Sequence, residues 1–328
     1  MLVDFNRSFA SSSQENISVN EIEIIVKKAF GEKTIINSIE TSKYGDVNSC
    51  YIITIKSLEK KLFLKVENDN IIPRFYYGQI EREYASIKLM KKHGIPCADV
   101  YRCNTDKTDI SKKYILTEFI DGELLYDIWD RLTLDEKNQA KDKIIALIEK
   151  FENISSTYFG DVCIGGNKGM FNNYADAFKN LTEILIKDCT DFSLLNDNDR
   201  LLLNSAIKKS SLNLTNSFKP CFIHMDIHSR NLFAEKTKNG VKITAVLDFG
   251  NAMFGIPTTD EYRARTYKIF KEDSTYVPHN KKTYSLNIHE QFSVEILYDL
   301  ECLLFEGMMK KSHCNRQKLL ARCEAYLR

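Results

Sequence analysis

Apolar and polar positions change their period several times along the chain. Residues 18–31, "SVNEIEIIVKKAFG", repeat apolar side chains at helical spacing, with Ser18 and Glu21 as a capping box and Gly31 as the stop. The residues before them are expected to fray. From Thr34 to Lys65 the pattern shortens to β-rich runs, "TIINSIETS", "SCYIITIKS" and "KKLFLKVE", which predicts an antiparallel meander. Helical periodicity returns in "IEREYASIKLMKKHG", stopped by Gly94, and "KKYILTEFIDGELL" supplies a further strand and a turn at Asp121-Gly122. Beyond that point helices dominate. In "TLDEKNQAKDKIIALIEKFENI", Thr133 and Glu136 cap, and Ile144, Leu147, Ile148 and Phe151 line one face. A strand-rich island over 219–249 interrupts them, its hairpin turning at Asn239-Gly240. Further helix follows from Asp260 to Arg328, with a tyrosine-rich loop inside it.

The pattern therefore predicts an α+β fold of two lobes. Residues 1–120 would form a small antiparallel sheet lobe, 117–122 a connector, and 121–328 a mainly helical lobe holding the hairpin 219–250. A cleft between lobes is a favoured ligand site. The apolar fraction of 43% over 328 residues suffices for a core in each.

Composition removes several function classes. The formal charge of +1 gives no field toward nucleic acid. The start lacks a basic and then apolar leader pattern, and no run nears the ~20 apolar residues of a membrane span, so a soluble, cytoplasmic chain without membrane partners is expected. A monomer is expected, with a dimer left open. Nine scattered cysteines, none spaced C-x-x-C, argue against a disulfide framework or zinc ribbon.

Chemistry concentrates in "CFIHMDIHSRNLF", where His224, Asp226 and His228 alternate. A zinc site would need further imidazoles or thiolates, and His93, His279, His289 and His313 are isolated. Phosphoryl transfer needs a carboxylate beside the attacking hydroxyl, oxygen ligands for Mg²⁺, and a lysine on the nucleotide phosphates. Each has a candidate in chain order: Lys65 in "LFLKVE", Glu83 on the next helix, Asp226, Asn231, and Asp248 in "VLDFG".

That order resembles protein kinases, but "HMD" replaces HRD and no APE segment follows. "HMDIHSRNLF" resembles the H-G-D-x-H-x-x-N loop of the aminoglycoside phosphotransferase and choline kinase superfamily, with Met225 where the family usually has Gly. "GDVNSCY" resembles its G-x-x-N-x-x-Y loop through Gly45, Asn48 and Tyr51, and "LTEFIDGELL" looks like its hinge. The resemblance spans roughly residues 35 to 265. It implies a bilobal protein-kinase-like fold, ATP or GTP and Mg²⁺ as cofactors, and Asp226 as the catalytic residue. It also implies Asn231 and Asp248 on the metal, Lys65 on the phosphates with Glu83 beside it, Gly45 and Asn48 in the phosphate loop, and the backbone of Glu118 to Ile120 on adenine. His224 would buttress the loop or be a satisfied buried histidine.

The resemblance further implies a small-molecule hydroxyl as acceptor, with an aminoglycoside or related antibiotic as the first guess. Choline, an amino-sugar, a thio-sugar or homoserine are the metabolic alternatives, and a nucleotide-binding pseudo-kinase is the alternative from another class. Acidic candidates for binding a polycation are Asp176, Asp188, Asp191, Asp260, Glu261, Glu295, Asp299, Glu301 and Glu306. Against a polycation, residues 307–328 carry a net +5. Trp129, Tyr262, Tyr267, Tyr276 and Tyr284 could instead form an aromatic box.

Overall fold

The computed structural model describes residues 1–4, 17–42, 47–68, 73–215, 218–266, 286–309 and 314–328. They form two compact units, one of residues 1–72, 78–122 and 245–250, the other of 73–77, 123–244 and 251–328.

The first unit is a sheet covered by helix. Its elements are β1 (Leu2–Asp4), α1 (Val19–Phe30), β2 (Ile36–Thr41), β3 (Ser49–Ile55), β4 (Lys60–Val66), α2 (Gln79–Lys92), β5 (Val100–Asn104) and β6 (Tyr114–Glu118). The sheet order is β1-β2-β3-β4-β6-β5. The meander over β2 to β4 is antiparallel, as the pattern predicts. Leu2–Asp4, expected to fray, instead pairs in parallel with Ser38–Glu40; a three-residue edge strand has too few positions to show a period of two.

Alternation decides what β4 presents to each face. Leu62, Leu64 and Val66 join Ile22, Ile25 and Val26 of α1 and Ile39, Tyr51 and Ile53 of the neighbouring strands in one core. Lys65 consequently points to the opposite face. The capping box of Ser18 and Glu21 starts α1, and Gly31, at φ +95°, ends it. A side chain there would be strained, which is why glycine ends the helix.

The second unit is mainly helical. Its elements are β7 (Glu123–Leu124), α3 (Leu125–Ile128), α4 (Leu134–Glu152), β8 (Phe159–Asp161), β9 (Met170–Phe171), α5 (Tyr174–Asp191), α6 (Asp197–Asn213), β10 (Cys221–Ile223), β11 (Leu232–Thr237), β12 (Gly240–Val246), β13 (Met253–Gly255), α7 (Thr259–Thr266), α8 (Ile288–Met308) and α9 (Cys314–Leu327). The expected hairpin is β11 and β12, turning at Gly240 with φ +106°. A second small sheet, β10-β13-β8-β9, fixes the start of the 224–231 loop. Phe151 of α4 meets Phe222 of β10 edge-on at 5.5 Å, anchoring that strand in the core. Among the described residues no helix is long and apolar enough to cross a membrane, and no disulfide joins the eight described cysteines.

Candidate active site

In the sheet unit, Lys65 is buried and ion-paired with Glu83 of α2, and its Nζ lies 3.0 Å from Asp248 Oδ1. Burial alone would push the Lys65 pKa down, but Asp248 and Glu83 outweigh it and raise it, so the ammonium stays charged. Burial lifts Glu83 above the ordinary carboxylate range against the pull of Lys65. Asp248 sits in the left-handed region at φ +59°, a conformation that costs about 1 kcal/mol or more outside glycine. Its segment is held from two sides. The fully buried Arg82 Nε donates to Gly250 O at 2.7 Å, and Val246 N donates to Pro96 O at 2.9 Å.

The phosphate-loop candidates behave differently from one another. Gly45 lies outside the described residues. Asn48 is buried and donates through Nδ2 to Gln79 Oε1 at 2.8 Å, which ties the loop to the start of α2. Tyr51 is a core residue whose hydroxyl accepts from Ile17 N at 2.9 Å, and burial pushes its pKa up to about 12. At the end of β6, the amides of Glu118 and Phe119 already donate to Asp99 O and Lys61 O, at 2.8 and 3.3 Å.

In the helical unit, β10 delivers a loop that hydrogen-bonds to itself. His224 is fully buried, and its Nδ1 accepts from Asp226 N at 3.2 Å. His228 Nδ1 accepts from Arg230 N at 3.1 Å. Asn231 Nδ2 donates to Asp226 O at 2.9 Å and to Asp226 Oδ2 at 3.2 Å, which leaves its amide oxygen as the end it can offer a cation. The Asp226 side chain is 38% exposed, with His228 Nε2 3.5 Å from Oδ1. Both histidines thus serve the loop's own geometry. No cluster of three or more His, Cys, Asp or Glu suited to a metal occurs among the described residues.

Asp260 of α7 is not a surface acid awaiting a substrate. It is 1% exposed, and its carboxylate accepts from His224 N at 2.6 Å and Met225 N at 2.9 Å. Burial raises its pKa against the pull of His224 and those amides. The sequence offers it only as one of several acidic residues of the helical lobe that are candidates for a polycation. No spacing connects it to a loop more than thirty residues earlier.

Most of the other acidic candidates are also engaged. Asp188 binds Arg74 Nη1 at 2.8 Å and Phe75 N at 2.9 Å, and Asp191 binds the same guanidinium at 2.6 Å. Asp299 takes Lys318 at 2.8 Å and Arg322 at 2.6 Å, Glu295 pairs with Arg322, and Glu301 pairs with Arg263. Glu306 accepts from Asn315 N at 3.2 Å, and Glu261 is buried. Asp176 stays at the exposed first turn of α5, accepting from Asn173. Lys318 and Arg322 of the basic C-terminal segment are thus partners of Asp299 and Glu295. Arg316 completes the set on Asp199 of α6. Trp129 is 1% exposed and belongs to the core rather than to an aromatic box. Tyr262 packs edge-on against Tyr298 at 5.8 Å, while Tyr267, Tyr276 and Tyr284 lie outside the described residues.

A lysine clamped by two carboxylates in the sheet unit, and a loop presenting one carboxylate beside an asparagine in the helical unit, are parts suited to phosphoryl transfer. The model of the phosphotransferase enzyme family matches residues 48–285, and the chain belongs to that family. Its fold is shared with a thermostable mutant of aminoglycoside phosphotransferase APH(4)-Ia, at 16% identity and TM-score 0.56 over 93% of this chain and 98% of that one. The same enzyme in ternary complex with AMP-PNP and hygromycin B gives 15% identity and TM-score 0.54, covering 94% and 98%. A protein provisionally named fructosamine-3-kinase, from Haemophilus somnus, gives 15% identity and TM-score 0.59, covering 94% and 97%. No curated protein sequence matches significantly.

Proposed function

We propose that this phosphotransferase moves the γ-phosphate of ATP or GTP to a hydroxyl of a small molecule. Asp226 orients that hydroxyl and accepts its proton late, because positioning and charge stabilisation dominate this chemistry. Lys65 binds the nucleotide phosphates, Glu83 keeps its ammonium in place, and Gly45 and Asn48 shape the phosphate loop. The Glu118 carbonyl and Ile120 amide receive the base. Domain roles follow: residues 1–120 for nucleotide, 121–328 for the acceptor.

Asn231 and Asp248 are the residues that would hold Mg²⁺. Both offer hard oxygen donors, and the Asp248 side chain is 44% exposed, so a small cation can reach it. When bound, the ion supplies positive charge against the charge developing on the phosphate oxygens.

The observation that carries this reading is Lys65 held by Glu83 and Asp248 in a chain of the phosphotransferase family. An antibiotic acceptor, with a resistance role, is the first one to test, since relatives named for aminoglycosides share the fold. A second reading, a metabolic acceptor of low positive charge, is supported by the engagement of the acidic candidates with protein partners. An assay of ADP or GDP release with Mg²⁺, ATP or GTP, and a panel of aminoglycosides, macrolides, sugars, choline and homoserine decides between them. Stimulation by one compound, lost in Asp226→Asn, supports transfer. Unchanged turnover in that variant, or wild-type rates in excess chelator, contradicts it.

A further inference from the structure

Met225 precedes the carboxylate residue Asp226, and its φ is +68°. Side chains disfavour that left-handed conformation, which glycine adopts readily. In this chain a buried methionine occupies it, so something outside the residue must hold the turn. Both of its peptide groups are gripped from one helix. Asp260 accepts the Met225 N–H at 2.9 Å, and Arg263 Nη1 donates to the Met225 carbonyl at 2.6 Å. The two grips stand three residues apart on α7, hence on one face.

Arg263 is 5% exposed, and its charge needs a counter-ion in that setting. Glu301 of α8, 8% exposed, supplies it as an ion pair. Burial works against both charges, while Glu301 and Asp260 hold the guanidinium protonated. Lys168 also lies close enough to favour ionised Glu301. The chain of contacts therefore runs from α8 through α7 to the peptide that aims Asp226.

We propose that Arg263, fixed by Glu301, is a positioning residue that locks Met225 in its left-handed turn and thereby sets the direction of the Asp226 carboxylate. Without the grip, Met225 relaxes toward negative φ, the 225–226 peptide rotates, and Asp226 is misdirected. Nucleotide binding, assigned to residues of the other unit, is untouched.

The proposal rests on phosphotransfer at Asp226, and its test separates the two. Mg²⁺–ATP and Mg²⁺–GTP hydrolysis, with water as acceptor, is measured in Arg263→Gln, Arg263→Lys and Glu301→Gln. The same Arg263 variants are made in a Met225→Gly background and in Met225→Asn, since asparagine also tolerates positive φ. Arg263→Gln is expected to lower kcat about 30-fold or more with nucleotide KM within about twofold, and Arg263→Lys to recover part of the loss. In the Met225→Gly background the Arg263→Gln loss shrinks to about fivefold or less, because glycine keeps the turn unaided. An equal loss in both backgrounds, or a risen KM with unchanged kcat, overturns the clamp. Hydrogen exchange over residues 224–226 needs no turnover. Faster exchange in Arg263→Gln, restored in Arg263→Lys, is expected, and unchanged protection overturns the proposal. If Asp226→Asn hydrolyses at the wild-type rate, the phosphotransfer reading fails. If Asp226→Asn is silent and Arg263→Gln is fully active, only the clamp fails.

Discussion

The surroundings of Lys65 and those of Asp226 solve opposite problems. Lys65 is a buried charge neutralised directly by the carboxylates of Glu83 and Asp248. Asp226 is a partly exposed carboxylate to which no Lys or Arg is bonded among the described residues, and its loop is held chiefly through backbone groups, by Asp260, Arg263 and the His224 ring. Side chains that bind one another define a fixed charge for an anionic ligand to meet. Within its loop the Asp226 carboxylate meets the amide of Asn231 and the ring of His228, and its side chain stays 38% exposed. Under the proposed function, the first region binds and the second acts.

Exchanging charges in the two regions breaks the comparison most strongly. Asp226→Asn keeps the frame and removes the proton acceptor, so kcat is expected to fall about a thousandfold or more while nucleotide affinity changes by about threefold at most. Steady-state kinetics beside calorimetric titration checks both halves. Lys65→Ala leaves Glu83 and Asp248 as two neighbouring acids without their cation, and kcat/KM for nucleotide should drop about a hundredfold. Glu83→Gln retains a hydrogen-bond acceptor for Lys65 and should cost about tenfold by the same assay, mainly in nucleotide KM.

Smaller effects sharpen the boundary between site and scaffold. Tyr51→Phe strands the Ile17 amide and should lower stability by about 1–2 kcal/mol in urea denaturation, with nucleotide affinity unchanged. Asp109, gripped by Arg102 at 2.7 Å, has its pKa lowered first by that hydrogen bond. A lowered folded-state pKa gives stability that is present above the ordinary value of about 3.9 and lost as pH falls through the depressed value. Asp109→Asn should therefore cost about 1 kcal/mol at neutral pH, and its stability should converge with that of the wild type in strong acid.

The legible parts of this molecule were those in which local chemistry announces itself. The capping boxes at Ser18 and Thr133 set helix starts within single turns, and the β-rich run "KKLFLKVE" put Lys65 on a strand. The order of Lys65, Glu83, Asp226, Asn231 and Asp248 could be read because each contributes its own functional group. Asp260, Arg263 and Glu301 could not be read in this way. Their function is to bind backbone or one another across 35 to 38 positions, and a charged helix face in the sequence has the same composition whether it meets solvent or a buried peptide. The partners of the basic C-terminal segment were hidden for the same reason, since Asp199, Glu295 and Asp299 lie on other helices. Tyr51 was read as part of a nucleotide loop, and it is also the core acceptor for Ile17.

The division between binding and acting is tested most directly by titrating Mg²⁺–ATP and Mg²⁺–GTP into Asp226→Asn and Lys65→Ala side by side, with turnover measured on the same samples. The account predicts that Asp226→Asn binds nucleotide as the wild type does and turns nothing over, while Lys65→Ala binds it weakly. Loss of binding in Asp226→Asn, or wild-type affinity in Lys65→Ala, would contradict it.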